Sequence, residues 1–186
     1  LIDKAQYAAA AALVPTSAVE TAYQYLWTTS TASTADDNGI WFLNNSVSRI
    51  TVADSFDLYN GQVNLVKNNL PFASANDPRV PVINAKTVGL QAEDGTTPLF
   101  LQQLWKNRDD PMVMASGLDA RLIEAEGKLN AGDIAGMMTI LNALRAAPPR
   151  EGTFQATAMA ALPTPATKDA AIDLYFREKA FWTFAR

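Results

Sequence analysis

The chain has no cysteine and no histidine in 186 residues. Without cysteine there is no disulfide, no thiol nucleophile and no thiolate metal site. Secreted proteins also do without cysteine, so this absence leaves the redox compartment open. Without histidine there is no imidazole base, no proton carrier titrating near neutral pH and no imidazole metal ligand. Serine and threonine are plentiful, but the usual base that would activate them is missing. Positive charge is also thin: 15 Lys and Arg stand against 19 Asp and Glu, for a net charge of −4. Those basic residues are scattered, and no basic patch suits a phosphate backbone, which argues against a nucleic-acid partner. Long hydrophobic runs are lacking as well. Tyr7 to Val14 is mostly alanine and far too short to span a bilayer. Leu1 opens the chain without the basic segment of a signal peptide, and no N-terminal cysteine could carry a lipid.

Catalysis finds little support in what remains. Asp36-Asp37 and Asp109-Asp110 are sequence neighbours, whose side chains diverge, whereas a glycosidase sets two carboxylates about 5 to 10 Å apart across the scissile bond. The expectation is a protein that is not an enzyme and has no cofactor. Asp36-Asp37-Asn38 offers hard oxygen ligands but lacks the spaced loop of a calcium site. An Asx turn is the simpler role, and no metal is expected.

An apolar fraction of 48% supplies a sizeable core. Its clearest organisation lies between Leu118 and Arg145. Leu118, Leu122, Ala125 and Leu129 fall on one helical stripe; Ile134, Met137, Met138, Leu141 and Leu144 fall on a second. Asn130-Ala131-Gly132 separates them, and Asp133 can cap the second start. The spacing predicts two antiparallel helices joined by a short turn.

Elsewhere the pattern is mixed. Asp3 to Val14 reads as a helix ended by Pro15, and Glu20 to Trp27 as a short helix or an aromatic-rich extended piece. Thr28 to Asp37 has no period and reads as a loop. Ile40–Leu43 and Ser48–Val52 read as short strands about an Asn44-Asn45 turn. Residues 54–78 read as irregular, with short extended pieces at Val80–Ile83 and Thr87–Leu90. Glu93-Asp94-Gly95-Thr96 reads as a turn needing positive φ at glycine. Phe100 to Trp105 is an apolar strand or helix, with Trp105 in the core. A proline-rich loop runs from Pro148 to Pro163. Thr164-Pro165 reads as the start of a last helix that continues through Ile172, Tyr175, Phe176, Phe181, Trp182 and Phe184 to Arg186.

The helix pair resembles the helical hairpin of the SusD/RagB family of outer-membrane nutrient-binding lipoproteins. The matching residues are Ala125-Glu126, Gly132-Asp133 and Leu141-Asn142-Ala143-Leu144-Arg145. Asp77-Pro78-Arg79 resembles the family's D-P-R motif, and Glu178-Lys179 its terminal E-R pair. Trp182-Thr183 departs from the continuation of that terminal motif. The resemblance spans residues 70–186 and implies a mainly α fold: a tetratricopeptide-type helical scaffold with a loop-rich lobe containing a few short strands. On this reading residues 1–186 are part of a single SusD-like domain. Residues 1–110 hold a helix and the irregular lobe, residues 111–186 hold the hairpin and terminal helix, and flanking sequence lies outside the fragment. The resemblance further implies a position at the outer-membrane cell surface through a lipid anchor outside the fragment. It implies capture of an oligosaccharide or peptide nutrient and its delivery, unchanged, to a TonB-dependent (SusC-like) transporter.

For the motif residues Asp77, Pro78, Arg79, Glu126, Gly132, Asn142, Arg145 and Glu178 the residues themselves favour a scaffold role. Glu126 and Arg145 sit on neighbouring helices and can pair across the hairpin or with a loop, since buried charge needs a partner. Asn142 is expected to hydrogen-bond a loop, and Asp77-Pro78 to fix a turn. Sugar binding needs aromatic faces with amides and carboxylates beside them. Tyr23, Tyr25, Trp27, Asp36, Asp37, Asn38, Trp41, Asn44 and Asn45 supply both, with Tyr59 and Asn60 further on. The competing role for Trp27 and Trp41 is to anchor loops. The rival to nutrient capture is an assembly protein that uses the helical scaffold for contacts with other proteins.

Overall fold

A computed structural model of the chain describes residues 1–54, 56–59, 62–65 and 69–186, the two short segments 56–59 and 62–65 through their backbone alone. It is mixed and helix-rich, with five α-helices and a set of short strands among the described residues. The chain forms two compact units: residues 1–26 with 113–184 and 186, and residues 27–112 with 185. The first 26 residues thus belong with the helical hairpin and not with the irregular lobe.

The first unit is built on four helices: α1 (Tyr7–Leu13), α3 (Gly117–Asn130), α4 (Ile134–Ala146) and α5 (Lys168–Trp182). The hairpin forms where the periodicity predicts it. Ser116 precedes α3, and its N–H donates to the Asp119 carboxylate at 2.8 Å, so the helix start is capped from within. Gly132 adopts φ 79°, a conformation costly for other residues, and lets the chain reverse. The Asp133 carboxylate then accepts from Gly136 N–H at 2.8 Å and caps α4. Both apolar stripes close into one core, in which Leu118, Leu122, Met137, Leu141, Ala171 and Tyr175 are buried. Emptying one such leucine site typically costs about 2 to 5 kcal/mol.

Helix α1 lies against α3 through small residues. A Cβ placed on Gly127 would stand 2.9 Å from the Ala11 Cβ, so the glycine permits the close approach. The exit of α1 is gathered by Arg121 on α3. Its guanidinium donates to Thr16 Oγ1 at 2.8 Å, to Val19 O at 3.1 Å and to Val14 O, and it is paired with Glu124 at 2.7 Å. Strand β1 (Gln24–Trp27) pairs with β6 (Met112–Ser116), and the proline-rich loop contains a small hairpin of β7 (Arg150–Glu151) with β8 (Phe154–Gln155).

Helix α5 begins later than Thr164-Pro165 predicts. The cap is Thr167, whose hydroxyl accepts from Ala170 N–H at 3.2 Å. Both threonines satisfy the local rule for a start, and the packing of Ala171 and Tyr175 into the core selects the second. The helix also stops at Trp182 and does not run on to Arg186.

The second unit is irregular. It contains α2 (Gly39–Trp41), which runs directly into a single π turn at Phe42–Ser46, and the strands β2 (Phe56–Tyr59), β3 (Gln62–Leu65), β4 (Val82–Asn84) and β5 (Phe100–Gln102). Strands β4 and β5 pair antiparallel with Ile83 opposite Leu101, beside a small core of Ala85, Ala92, Leu99 and Leu101. Trp105 is buried, as its position in an apolar segment suggested.

Several expectations are overturned here. Ile40–Leu43 is helical, not a strand, because the Asn38 side chain accepts from Ile40 N–H at 3.1 Å and Trp41 N–H at 3.0 Å and so caps a helix. Ser48–Val52 forms no strand, and Asn44-Asn45 lies inside the π turn. Residues 85–88 make a 3₁₀ turn capped by Asn84 where an extended piece was expected from Thr87. The segment read as irregular also holds an antiparallel ladder, with Leu58 opposite Val63. No helix among the described residues is long and apolar enough to cross a membrane.

Candidate functional site

The sequence joined aromatic faces to amides and carboxylates as a ligand surface. The two halves of that set have different fates. Tyr25 and Trp27 stand two apart on β1 and therefore on one face of the strand. They are 60% and 63% exposed, and Tyr23, just before the strand, is 51% exposed. Gln24, on the opposite face, accepts from Gly152 N–H at 2.6 Å. The aromatic rings are thus turned outward by the alternation of the strand.

Most of the polar half is engaged inside the second unit. Asn38 is fully buried. Its amide donates to Asp110 O at 2.8 Å, while its oxygen caps α2. Asn44 is buried too. It donates to Ile50 O at 2.7 Å and Phe100 O at 3.1 Å, and accepts from Gln102 N–H at 2.8 Å. Every hydrogen-bonding atom of these two buried amides therefore has a backbone partner, so both are committed to the fold. Asn45 exchanges hydrogen bonds with Gln102. Asp37 is held by Arg108 Nη2 at 2.7 Å and Nε at 2.9 Å. Asp110, whose neighbour Asp109 is exposed, caps Lys106 N–H and Asn107 N–H with one oxygen. Asp36 is exposed, in a 3₁₀ turn capped by Ser33, and Trp41 is half-buried. Tyr59 and Asn60 lie outside the described side chains. Of the six proposed ligand-binding residues whose side chains are described, Trp27 and Asp36 are exposed, and the six do not form one cluster of available groups. Among the described residues no group of three or more acidic side chains is placed to hold a metal.

Of the motif residues, Arg79, Glu126 and Glu178 are buried, Asp77, Asn142 and Arg145 are half-buried, and Pro78 and Gly132 are exposed at turns. In the second unit, Asp77 accepts from Arg79 N–H and Nε at 2.9 Å each and pairs with Arg79 Nη2 at 2.7 Å. Arg79 is only 4% exposed, so Asp77-Pro78-Arg79 is a turn closed on its own ion pair. In the first unit, Glu126 and Arg145 do not pair with each other. Each reaches α5, and Arg145 also takes a loop carbonyl, the other partner expected of it. Glu126 accepts from Lys179 Nζ at 3.0 Å and Tyr175 OH at 2.9 Å. Arg145 pairs with Glu178 at 3.1 Å and donates to Ala160 O at 2.8 Å. One turn of α5 therefore presents Tyr175, Glu178 and Lys179 to both arms of the hairpin. Burial, reinforced by the Glu126 charge, pushes the Tyr175 hydroxyl well above the usual phenol range, so it stays a hydrogen-bond donor. Asn142 holds the loop as expected, accepting from Leu162 N–H at 2.8 Å and donating to Leu162 O at 3.2 Å.

A further charged cluster was not foreseen. Glu151 on β7 is buried, with Oε2 at 3.2 Å from Arg186 Nη2, and the same nitrogen lies 2.8 Å from the Asp119 carboxylate. Two carboxylates share one guanidinium. Burial pushes Glu151 up to about 7, opposed by the Arg186 charge and the Ser116 hydroxyl and reinforced by Asp119. The signal in the sequence is too faint to find it, since the three residues lie far apart along the chain. No family model, curated protein or solved structure matches this chain.

Proposed function

We propose that this chain is part of a SusD/RagB-like, tetratricopeptide-type nutrient-binding protein of the outer-membrane cell surface. It captures an oligosaccharide or peptide and hands it, chemically unchanged, to a TonB-dependent (SusC-like) transporter. Its membrane attachment is a lipid anchor outside this sequence. The observation that carries the reading is the way the residues of the resemblance interlock. Glu126 and Arg145, one on each arm of the hairpin, are joined to the consecutive pair Glu178-Lys179 of α5. Residues that matched as separate motifs in the sequence thus act as a single packing device, as a shared scaffold requires.

Capture without chemistry agrees with the state of the polar groups. The buried carboxylates Glu126, Glu151 and Glu178 have cationic partners and Asp110 has N–H partners, and the lack of histidine removes the commonest general base. Exposed Tyr25 and Trp27 supply ring faces for the apolar side of a sugar, at about 1 kcal/mol for each stacked ring.

Calorimetric titration of the purified chain with pools of neutral oligosaccharides and of short peptides tests this reading. Binding by one pool is expected, with Trp27→Ala and Tyr25→Ala each weakening it about fivefold, the affinity equivalent of one such contact. No binding by either pool, together with ordered self-association, would overturn it in favour of an assembly protein. Products released from a polysaccharide would overturn it in favour of an enzyme.

A further inference from the structure

The second unit holds a pocket of about 290 Å³ between the segment Ser48–Thr51 and the turn Glu93–Thr97. Its floor is apolar: Leu99 and Ala92 are buried, and Ile50 flanks them. The rim is polar. Arg49 Nε and Nη2 donate to the two Glu93 oxygens at 2.8 and 3.1 Å, forming a planar ion pair at the solvent edge. Only two of the five guanidinium N–H donors are used there, so the rest remain for a ligand. Beneath that pair Glu93 N–H donates to Ser48 O at 3.1 Å. Ser48 itself has φ 56°, a left-handed conformation unusual for a residue with a side chain. Strain of this kind gathers where surroundings hold a residue in place for a purpose. The Ser48 hydroxyl takes no hydrogen bond among the described residues.

Charge decides the ligand class. Anions are disfavoured, because Arg49 is neutralised by Glu93 and Asp94 adds a second negative charge. A simple cation fares no better. Glu93 is already paired, and the Asp94 carboxylate accepts from the Thr97 hydroxyl at 2.5 Å and from Thr97 and Thr96 N–H at 2.9 Å each. Those donors hold Asp94 at about 2, so its charge is fixed and fully solvated by the turn. What fits is a neutral molecule with one apolar face and hydroxyls that both donate and accept. At about 290 Å³ the space is below the usual range for drug-sized ligands and suits a single sugar ring.

We infer that this pocket is a subsite for one neutral pyranose ring, seated on Leu99 and Ile50 with its hydroxyls bridged by Arg49, Glu93 and Ser48. For its ligand class it rests on the nutrient-capture reading, but its residues are separate from the aromatic face of β1.

The test is saturation-transfer NMR and calorimetry on the whole chain with D-glucose, D-galactose, D-mannose and D-xylose, with inorganic sulfate as the anionic control. Saturation of at least one sugar at millimolar concentration is expected, with none for sulfate. Arg49→Leu and Glu93→Gln should each lower affinity at least fivefold. Lys168→Ala, at an exposed position at the start of α5, should leave monosaccharide affinity unchanged, and Arg49→Lys should retain part of the affinity that Arg49→Leu loses. Unfolding curves matching the parent separate loss of binding from loss of fold. Oligosaccharide binding that is indifferent to Arg49→Leu and Glu93→Gln would overturn this subsite and leave nutrient capture standing. Absence of any sugar or peptide binding would overturn both.

Discussion

Glu151 makes the stability of this chain depend on pH across the neutral range. The chain has no histidine and no cysteine, the side chains that ordinarily govern pH dependence near neutrality. Glu151 is buried and shares Arg186 with Asp119, and its affinity for a proton is raised from 4.5 to about 7. Because the folded value lies above the unfolded one, the group favours folding fully below about 4.5. That advantage is lost as pH rises through about 7. Each tenfold change in proton affinity corresponds to about 1.4 kcal/mol, so the whole gap is worth about 3 kcal/mol. Roughly 2 kcal/mol of it falls between pH 5.5 and 8. Glu151→Gln keeps the shape and removes the titration, leaving Arg186 to Asp119 alone. Urea unfolding of parent and variant at pH 5.5 and pH 8 measures the difference directly. The parent should lose about 2 kcal/mol more than the variant over that interval. Equal losses in both proteins would refute the assignment of the buried charge to Glu151.

Other substitutions probe the scaffold. Gly117→Ala places a Cβ against Glu20 O and 2.5 Å from Thr21 O; urea denaturation should register a loss of about 3 kcal/mol or more, since only backbone could yield. Arg145→Met strips the buried Glu178 of its guanidinium partner and should destabilise by about 3 to 5 kcal/mol, whereas Lys179→Met, on a more exposed pair, should cost about 1 kcal/mol. Asn44→Ala leaves the buried Gln102 N–H without its acceptor and should lower the thermal midpoint, with a stability loss of about 2 kcal/mol.

The helical unit was legible because its signals are local. Leucines on one stripe, a glycine at the reversal and an aspartate just after it each act within a turn of helix, and each does in the structure what its spacing suggests. The second unit was less legible because its amides act at a distance. Asn44 reaches across some fifty-six residues to Phe100 and Gln102, and no spacing rule connects them. Its residue type suited a sugar equally well. For Ile40–Leu43 the apolar run was compatible with strand or helix, and the decision came from the Asn38 cap. The β2–β3 ladder did carry a signal: Asn60-Gly61 stands between alternating apolar residues, the strongest short-range mark of a hairpin. Glu126 and Arg145 were recognisable as charges needing partners. Which partners they took depended on the placement of α5, a tertiary fact.

An alanine-rich rod seated on a glycine, with large side chains only at its ends, has little to index its rotation or its position along α3. What registers α1 is the clasp beyond its end, where Arg121 holds Val14, Thr16 and Val19. Release of that one guanidinium would free the first nineteen residues together while the leucine interior stayed closed. Amide protons of α1 should therefore exchange with solvent through a shared sub-global opening, well below the free energy protecting α3 and α4.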